Sequence, residues 1–377
     1  MEFDLQLYLK ELEQLVNTDS GSYSPQGTAK IAEYFKQKYE ELGYIATLHP
    51  GSSSAGPCLE VHNDDSNRYD VLLLGHMDTV FPDGTAKERP FTIKAGRALG
   101  PGVTDMKSGL LSLYYALKAI HQEKLDEDIS ICVLQNSDEE IGSVSSKELI
   151  EKLAAKSKLA LVFEAGRENG DLVLQRKGTV RFEVEFKGTA AHAGVEPQKG
   201  ANAIVEMAHC ILELNKLNDY ETGTTINAGL VSGGTRVNIV PEYAACKFDV
   251  RFTTSGQMNT VKDKIRYLAE NPANKKIKIS VTEGSFRPPM VPSEKAMKLW
   301  ELTENIGRQL GMELKWAAAG GCSDANFTSA VGVPTLDALG PVGGLDHSEK
   351  EYLEISNIEP NHQLLKKLIP QTAKMDV

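Results

Sequence analysis

The sequence predicts an α/β protein: a mostly parallel sheet covered by helices and interrupted by a smaller α+β domain. Three observations carry that prediction. Apolar runs of strand length alternate with segments of helical spacing through residue 177, the order of βαβ units. From residue 178 the pattern changes to alternation, as in "TVRFEVEFKG", which is how an antiparallel strand with one solvated face reads. After "FRPPMVP" the first style returns. The expected division is 1–177 together with 288–377, and an insert over 178–287. A chain of 377 residues is long for one core, which makes two domains the natural expectation.

Taken in order, residues 2–17 and 26–43 have helical spacing. "YDVLLLGHMD" is a buried strand, "SGLLSLYYALKAIHQE" a helix, "DISICVLQNSDEE" a strand, "SSKELIEKLAAK" a helix and "LALVFEAG" a strand. In the insert, "TVRFEVEFKG" is followed by a helix at about 200–217, the strands "TTINAGLVSGG" and "YAACKFDVRFT", a helix at about 257–270 and the strand "KKIKISVTEG". That β-α-β-β-α-β order predicts a ferredoxin-like sandwich. A helix at about 293–310 and the short strand "VPTLDALG" complete the first domain.

The composition is that of an ordinary globular protein, 41% hydrophobic and 25% charged, with a net charge of −11. That charge argues against nucleic-acid and anionic-membrane partners, which call for a basic patch. The first helix is Glu-rich, with no basic n-region or apolar h-region, and no apolar run approaches a membrane span. The five cysteines are scattered and never spaced C-x-x-C. A disulfide framework is therefore not expected, and a reducing cytoplasm is the simplest home.

The polar residues that follow the buried strands carry the chemistry. "VLLLG" leads into His76 and Asp78, "ISICVLQNSD" into Glu139 and Glu140, and "LALVF" into Glu164; "GPGVTDMKSG" carries Asp105 and "PVGGLDHSEKEYL" carries His347. Ligands of open parallel sheets bind beyond the carboxyl ends of the strands, where scattered residues can converge. Bare carboxylates that close would repel one another. Two divalent cations balance three carboxylates and a bridging hydroxide, and neutral imidazoles complete a mixed N/O set suited to zinc or a similar ion. Two such ions form a hydrolytic clamp. Each motif alone is weak: H-x-D is more often structural, E-E is usually solvated helix surface, and "GPGVTD" alone reads as a turn. Their joint position reverses those odds. Strand alternation keeps Asp78 on the side of His76, where it can accept the imidazole N–H and fix the tautomer. The same alternation separates Glu140, assigned to metal, from Glu139, assigned as general base and then acid.

"GHMDTV", "GPGVTDMKSG", "NSDEEIGS", "FEAG" and "GGLDHSE" resemble the motifs of the M20 family of di-zinc metallopeptidases, most closely its glutamate carboxypeptidase (carboxypeptidase G2-like) branch. The resemblance spans nearly the whole chain. It implies two Zn²⁺ per chain, with Co²⁺ or Mn²⁺ as substitutes. His76 and Glu164 would hold one ion, Glu140 and His347 the other, and Asp105, in a cis peptide bond to Met106, would bridge them. Asp78 would orient His76, and Glu139 would be the base. The insert resembles the family's dimerisation or lid domain, which implies a homodimer. "GTAAHAG" places His192 where the family has a histidine that helps polarise the scissile carbonyl, in several relatives from the neighbouring subunit. "RVNIVP" gives Asn238 and "FDVRF" gives Arg251 as contacts to the substrate carboxylate, and "SFRPPM" gives Arg287, similar to an arginine that holds an acidic C-terminal residue. On the residues alone, Arg251 could also be ordinary strand surface and Arg287, before two prolines, a hinge-side salt-bridge partner. "GGCSDANF" resembles the Gly-rich active-site loop, with Ser323 or the backbone at the substrate; Cys322, with no Cys-His-Asn arrangement, reads as a buried small residue rather than a nucleophile.

The function implied is metal-dependent hydrolysis of an amide bond in a small peptide or N-acyl amino acid with a free carboxylate. It would release a C-terminal residue such as glutamate through a zinc-bridging water activated by Glu139. The alternative is an N-acyl-amino-acid deacylase on the same site. A non-catalytic binding protein of this fold is disfavoured because no ligand and no base is missing. A nucleotide-binding protein is disfavoured because neither G-x-G-x-x-G nor G-x-x-x-x-G-K-[ST] joins a strand to a helix.

Overall fold

The computed structural model describes residues 3–52 and 55–375. The chain divides into two compact units. The first comprises the chain up to Gln175, Pro292–Ala319 and the chain from Ser323 on; the second comprises Arg176–Val291 and Gly320–Cys322. The insert thus begins slightly before 178 and ends slightly after 287, and it takes the glycine loop with it. The cause lies in the connecting segments. Arg176 and Met290 exchange backbone hydrogen bonds at 3.1 and 3.0 Å, so the two links run side by side before they separate.

The first unit is built on a six-stranded sheet in the order Ile45–His49, Cys58–His62, Ile131–Asn136, Tyr69–His76, Ser157–Val162, Thr335–Leu336. The last four are mutually parallel. The first two, which the sequence reading left unassigned, join antiparallel at one edge. Tyr69–His76 has parallel neighbours on both sides, and Leu72, Leu73 and Leu74 are wholly buried. Burial at that level stabilises by roughly 1.5–3 kcal/mol per leucine, which explains a continuous apolar run rather than an alternating one. Ser108–Gln122 and Ile355–Ala373 pack on each other and on this strand, while Lys147–Ala154 and Ala325–Ala330 pack on each other and on Ser157–Val162.

The second unit has the β-α-β-β-α-β order. Its sheet runs Thr225–Gly233, Tyr243–Phe252, Gly178–Lys187, Lys278–Arg287, antiparallel throughout. Along Gly178–Lys187, Val180, Phe182, Val184 and Phe186 join Met207, Cys210 and Leu214 of helix Ala203–Asn215 and Val261, Ile265 and Leu268 of helix Ser255–Glu270 in one core. Their strand neighbours Arg181 and Lys187 are exposed, as period-two alternation requires. Asn202 and Thr254 start these helices by accepting from the third amide of the first turn, and Gln257 completes a reciprocal capping box with Thr254. Among the described residues no helix is long and apolar enough to cross a membrane, and all five cysteines are free thiols.

Candidate metal centre

The polar residues read off the strand ends of the first unit lie at the strand's last residue or on a short connection just past it. Tyr69–His76 ends on His76 itself. Gly75 is needed immediately before it: a Cβ there would stand 2.6 Å from Met106 Cε and 2.7 Å from Leu110 Cδ2. The strand can therefore press against the Asp105 turn, where the His76 amide reaches Met106 Sδ at 3.1 Å. The turn itself begins at Gly102 with φ +71 and contains the cis bond Asp105–Met106. Glu164 follows strand Ser157–Val162 by two residues, and its carbonyl accepts from Gly340 N at 2.9 Å. His347 sits after Gly343–Gly344 with φ +61.

Asp105 is the centre of the arrangement. Its Oδ1 lies 3.2 Å from His76 Nε2, and its Oδ2 lies 3.1 Å from His347 Nε2. Glu164 Oε2 is 3.5 Å from His76 Nε2, and Glu140 Oε2 is 3.1 Å from His347 Nε2. The donors thus form two groups that share Asp105: His76, Asp105 and Glu164, and Asp105, Glu140 and His347, each with its ligand atoms within 4.8 Å of one another.

These side chains fit divalent ions. His76 Nδ1–H donates to the Asp78 carbonyl at 2.9 Å. In the neutral ring Nε2 is then a lone pair aimed at two carboxylates, which only a cation or a proton makes favourable. Among the described residues Glu140 Oε1 is buried without a hydrogen-bond partner, which ordinary folding avoids. Donors about 2.0–2.1 Å from a common tetrahedral ion stand roughly 3.3 Å apart, within the spread of the four contacts above.

The electrostatics of the metal-free cluster point the same way. Burial pushes Glu140 up to about 7 and Glu164 up to about 8, and the Asp105 charge adds to both. Burial pulls His76 down, but Glu164, Asp105 and Asp78 outweigh it and hold the ring well above its ordinary value. Contacts to Asp105 and Glu140 raise His347 to about 11. Burial pushes Asp105 up, and the two imidazoles outweigh that and hold it below the usual carboxylate range. The cluster carries protons where cations would sit.

Two readings of local geometry change. The His76 N–H goes to the Asp78 carbonyl; the Asp78 carboxylate, 3.4 Å away at Oδ1, is occupied elsewhere. It accepts from the amides of Glu139 and Glu140, both at 3.1 Å, and from Ser22 Oγ at 2.7 Å. Asp78 therefore fixes the turn that carries both glutamates. The strand before that turn stops at Asn136, and Glu139–Ile141 is one turn of 3₁₀-helix. Successive side chains there diverge by about a third of a turn rather than alternating across a strand. The two glutamates still point apart, for a different reason. Glu139 is half-buried.

Sequence reasoning missed Glu351. It is 2% exposed and accepts from the amides of Gly102 (3.0 Å), Thr104 (2.9 Å) and Asp105 (3.1 Å). Its only sequence signal was an acidic residue four positions after His347, in a run of charges that reads as surface.

In the second unit, His192 is exposed, and its Nδ1 accepts from Gly194 N and Val195 N, both at 3.1 Å. Asn238 is exposed, and its carbonyl accepts from Ala193 N at 3.0 Å. Arg251 directs Nε and Nη2 at Asp249 (2.6 and 3.1 Å), and Nη1 at Cys322 Sγ (3.6 Å). Arg287, the last residue of its strand, is buried. Cys322 is half-buried rather than buried and donates to the Lys177 carbonyl at 3.1 Å. Ser323, expected near substrate, is buried, with its hydroxyl on Asp337 at 2.6 Å.

A family model described as peptidase family M20/M25/M40 matches residues 72–371. Carboxypeptidase G2 of Pseudomonas sp. (strain RS-16) is 31% identical over 380 aligned positions, covering 96% of this chain and 88% of the relative. A tripeptidase from Staphylococcus aureus superimposes with a TM-score of 0.83 at 22% identity, covering 99% of both chains. Aminopeptidase PepT from Bacillus cereus does so with a TM-score of 0.81 at 23% identity, covering 98% of this chain and 99% of that one. These two structures share the fold.

Proposed function

The chain belongs to peptidase family M20/M25/M40, and from that premise we propose that it is a two-metal carboxypeptidase that releases a C-terminal amino acid, glutamate among the candidates. The observation that carries the reading is Asp105, whose two oxygens face His76 on one side and His347 on the other. His76 and Glu164 would hold one Zn²⁺, Glu140 and His347 the other, and Asp105 both. Bound there, the ions would polarise the scissile carbonyl and acidify the attacking water.

The chain's own residues do the rest. Glu139, held by Asp78 through its amide, takes the proton from the water and passes it to the leaving amine. His192 uses Nδ1 as an acceptor, so its neutral ring carries the proton on Nε2, ready to donate to a carbonyl oxygen as negative charge develops. Asn238, Arg251 and Arg287 are assigned to the free carboxylate of a small peptide or N-acyl amino acid.

The assembly proposed is a homodimer through the second unit. Edge strand Thr225–Gly233 leaves Leu230 and Val231 exposed, and the helix Ala203–Asn215 packed on it leaves Val205 and Leu212 exposed. An unpaired edge beside exposed apolar residues favours a second copy. Leu230→Glu should convert a dimer to a monomer in sedimentation; a wild-type monomer at micromolar concentration sinks the proposal. Five free thiols support a cytoplasmic home.

The test is metal analysis joined to a hydrolysis screen, before and after chelation, with C-terminal Glu, Asp, Ala and Leu dipeptides and N-acetyl amino acids. Near two metals per chain and chelator-sensitive release of acidic residues supports the reading. Preference for N-acetyl amino acids moves the substrate to the deacylase class. No metal and no turnover after addition of Zn²⁺, Co²⁺ or Mn²⁺ overturns it.

A further inference from the structure

We infer that Glu351 is the positioning residue of the shared ligand Asp105, and that through it the two metal sites stand or fall together. The inference rests on the two-metal reading above.

Glu351 is nearly inaccessible and spends both oxygens on one turn. Oε2 accepts from Gly102, and Oε1 accepts from Thr104 and from Asp105 itself. Three amides converging on one carboxylate form an anion nest. Here the anion is covalently part of the protein, so the nest defines the turn rather than a ligand. The last residue of the turn, Lys107, is held as well. Lys107 is 1% exposed, and its Nζ donates to the carbonyls of Thr18 (2.9 Å) and Pro101 (3.5 Å).

Glu351 is anchored at its own end. The next residue, Tyr352, begins the strand Tyr352–Glu354, which pairs antiparallel with Arg97–Leu99 just before the turn. The Glu351 amide donates to Ser348 O at 3.3 Å, one residue past His347. One side chain therefore ties the loop that carries a ligand of one site to the turn that carries the ligand of both. A partner of a ligand's main chain acts as partners of a ligand's ring do, by fixing where the donor atom stands.

Glu351→Gln keeps the size and removes the match. A carboxamide oxygen can serve two of the amides, but its NH₂ then faces a third N–H, donor against donor. The measurement is Co²⁺ titration of the metal-free protein, followed by visible absorbance and by competition with a chelator. Leu365→Ala, a core change in the C-terminal helix, serves as a stability control. Both Co²⁺ ions should bind about 10–100-fold more weakly to the Glu351→Gln protein. The control should bind as wild type at equal or greater loss of Tm. Wild-type affinity at both sites in Glu351→Gln overturns the inference, and so does a loss confined to one ion. If Glu351→Gln does not accumulate folded, Glu351→Asp, which keeps the charge and shortens the reach, is read in its place with the same expectation. A wild-type protein that binds no Co²⁺, Zn²⁺ or Mn²⁺ is a separate failure, that of the two-metal reading.

Discussion

Four of the five residues assigned to metal and three of the four assigned to substrate are held in opposite ways, the exposed His347 and the buried Arg287 being the exceptions. His76, Asp105, Glu140 and Glu164 are buried or half-buried, and their placement is fixed by main chain: Gly75 against Met106, Glu351 on the Asp105 turn, Asp78 on the Glu139–Ile141 turn. His192 and Asn238 lie exposed on loops, and Arg251 is bound to a neighbour on its own strand. A site whose donor atoms must converge on an ion has to be rigid before the ion arrives. Residues that meet a variable substrate need not be, and loops carry such contacts on a rigid scaffold. The difference predicts where substitutions should be catastrophic and where they should be graded.

The largest effect is expected at Glu139. Glu139→Gln keeps the shape and removes the base, so kcat should fall about a thousandfold while metal content stays that of the wild type. A variant that keeps more than a tenth of its activity would remove Glu139 from proton transfer. His192→Ala tests the other region. Loss of one donor to the developing oxyanion should lower kcat about a hundredfold, again with metal content unchanged. Equal activity in the two proteins would mean that the second unit supplies no catalytic group.

The pH dependence separates the regions further. Metal binding requires ionised carboxylates and neutral imidazoles. In the metal-free protein Glu140 and Glu164 sit at about 7 and about 8, and His76 and His347 are raised above their ordinary values as well, so cations must displace protons from all four, and affinity should fall as pH drops toward and through that window. Stability of the metal-free protein should run the other way. These two carboxyls, raised in the fold, bind more protons folded than unfolded between the ordinary glutamate range and about 8, and the slope of stability with pH is then negative. The metal-free protein should therefore melt at a higher temperature at pH 6 than at pH 8, and the metal-loaded protein should not. Melting of the two forms at both pH values checks this, and parallel shifts would refute it.

How much of this was legible follows from the same contrast. The parallel core was readable because Tyr69–His76, Ile131–Asn136 and Ser157–Val162 are buried on both faces and so are continuous in apolar residues. Three of the residues assigned to metal, His76, Glu140 and Glu164, could be picked out because they end or follow those runs. The two antiparallel strands Ile45–His49 and Cys58–His62 were not readable, since both are short, no buried alternation marks the first, and each ends on a histidine. Glu351 was invisible because its role depends on amides some 250 positions away, and no local pattern announces a carboxylate that will be buried against main chain. Ser323 misled for the converse reason: a serine beside glycines looks accessible, but its partner Asp337 lies on the far side of a helix in sequence and draws it inward.

Arg251 carries the smallest expected effect and the sharpest test of the second region. Its fork is already closed on Asp249 at 2.6 and 3.1 Å, so to a substrate carboxylate it presents a nearly neutral pair rather than a free cation. Such partly exposed pairs exchange partners for about 1 kcal/mol or less. Arg251→Met should therefore raise KM by less than about tenfold with kcat preserved. Asp249→Asn should do the reverse: it leaves the guanidinium in place and removes its competitor, so KM for substrates with a free carboxylate should fall, and KM for their amides should not. A hundredfold rise in KM for Arg251→Met, with no gain from Asp249→Asn, would mean that the fork leaves Asp249 altogether when substrate binds. The second region would then be reorganised by its ligand, whereas the first is organised ahead of it.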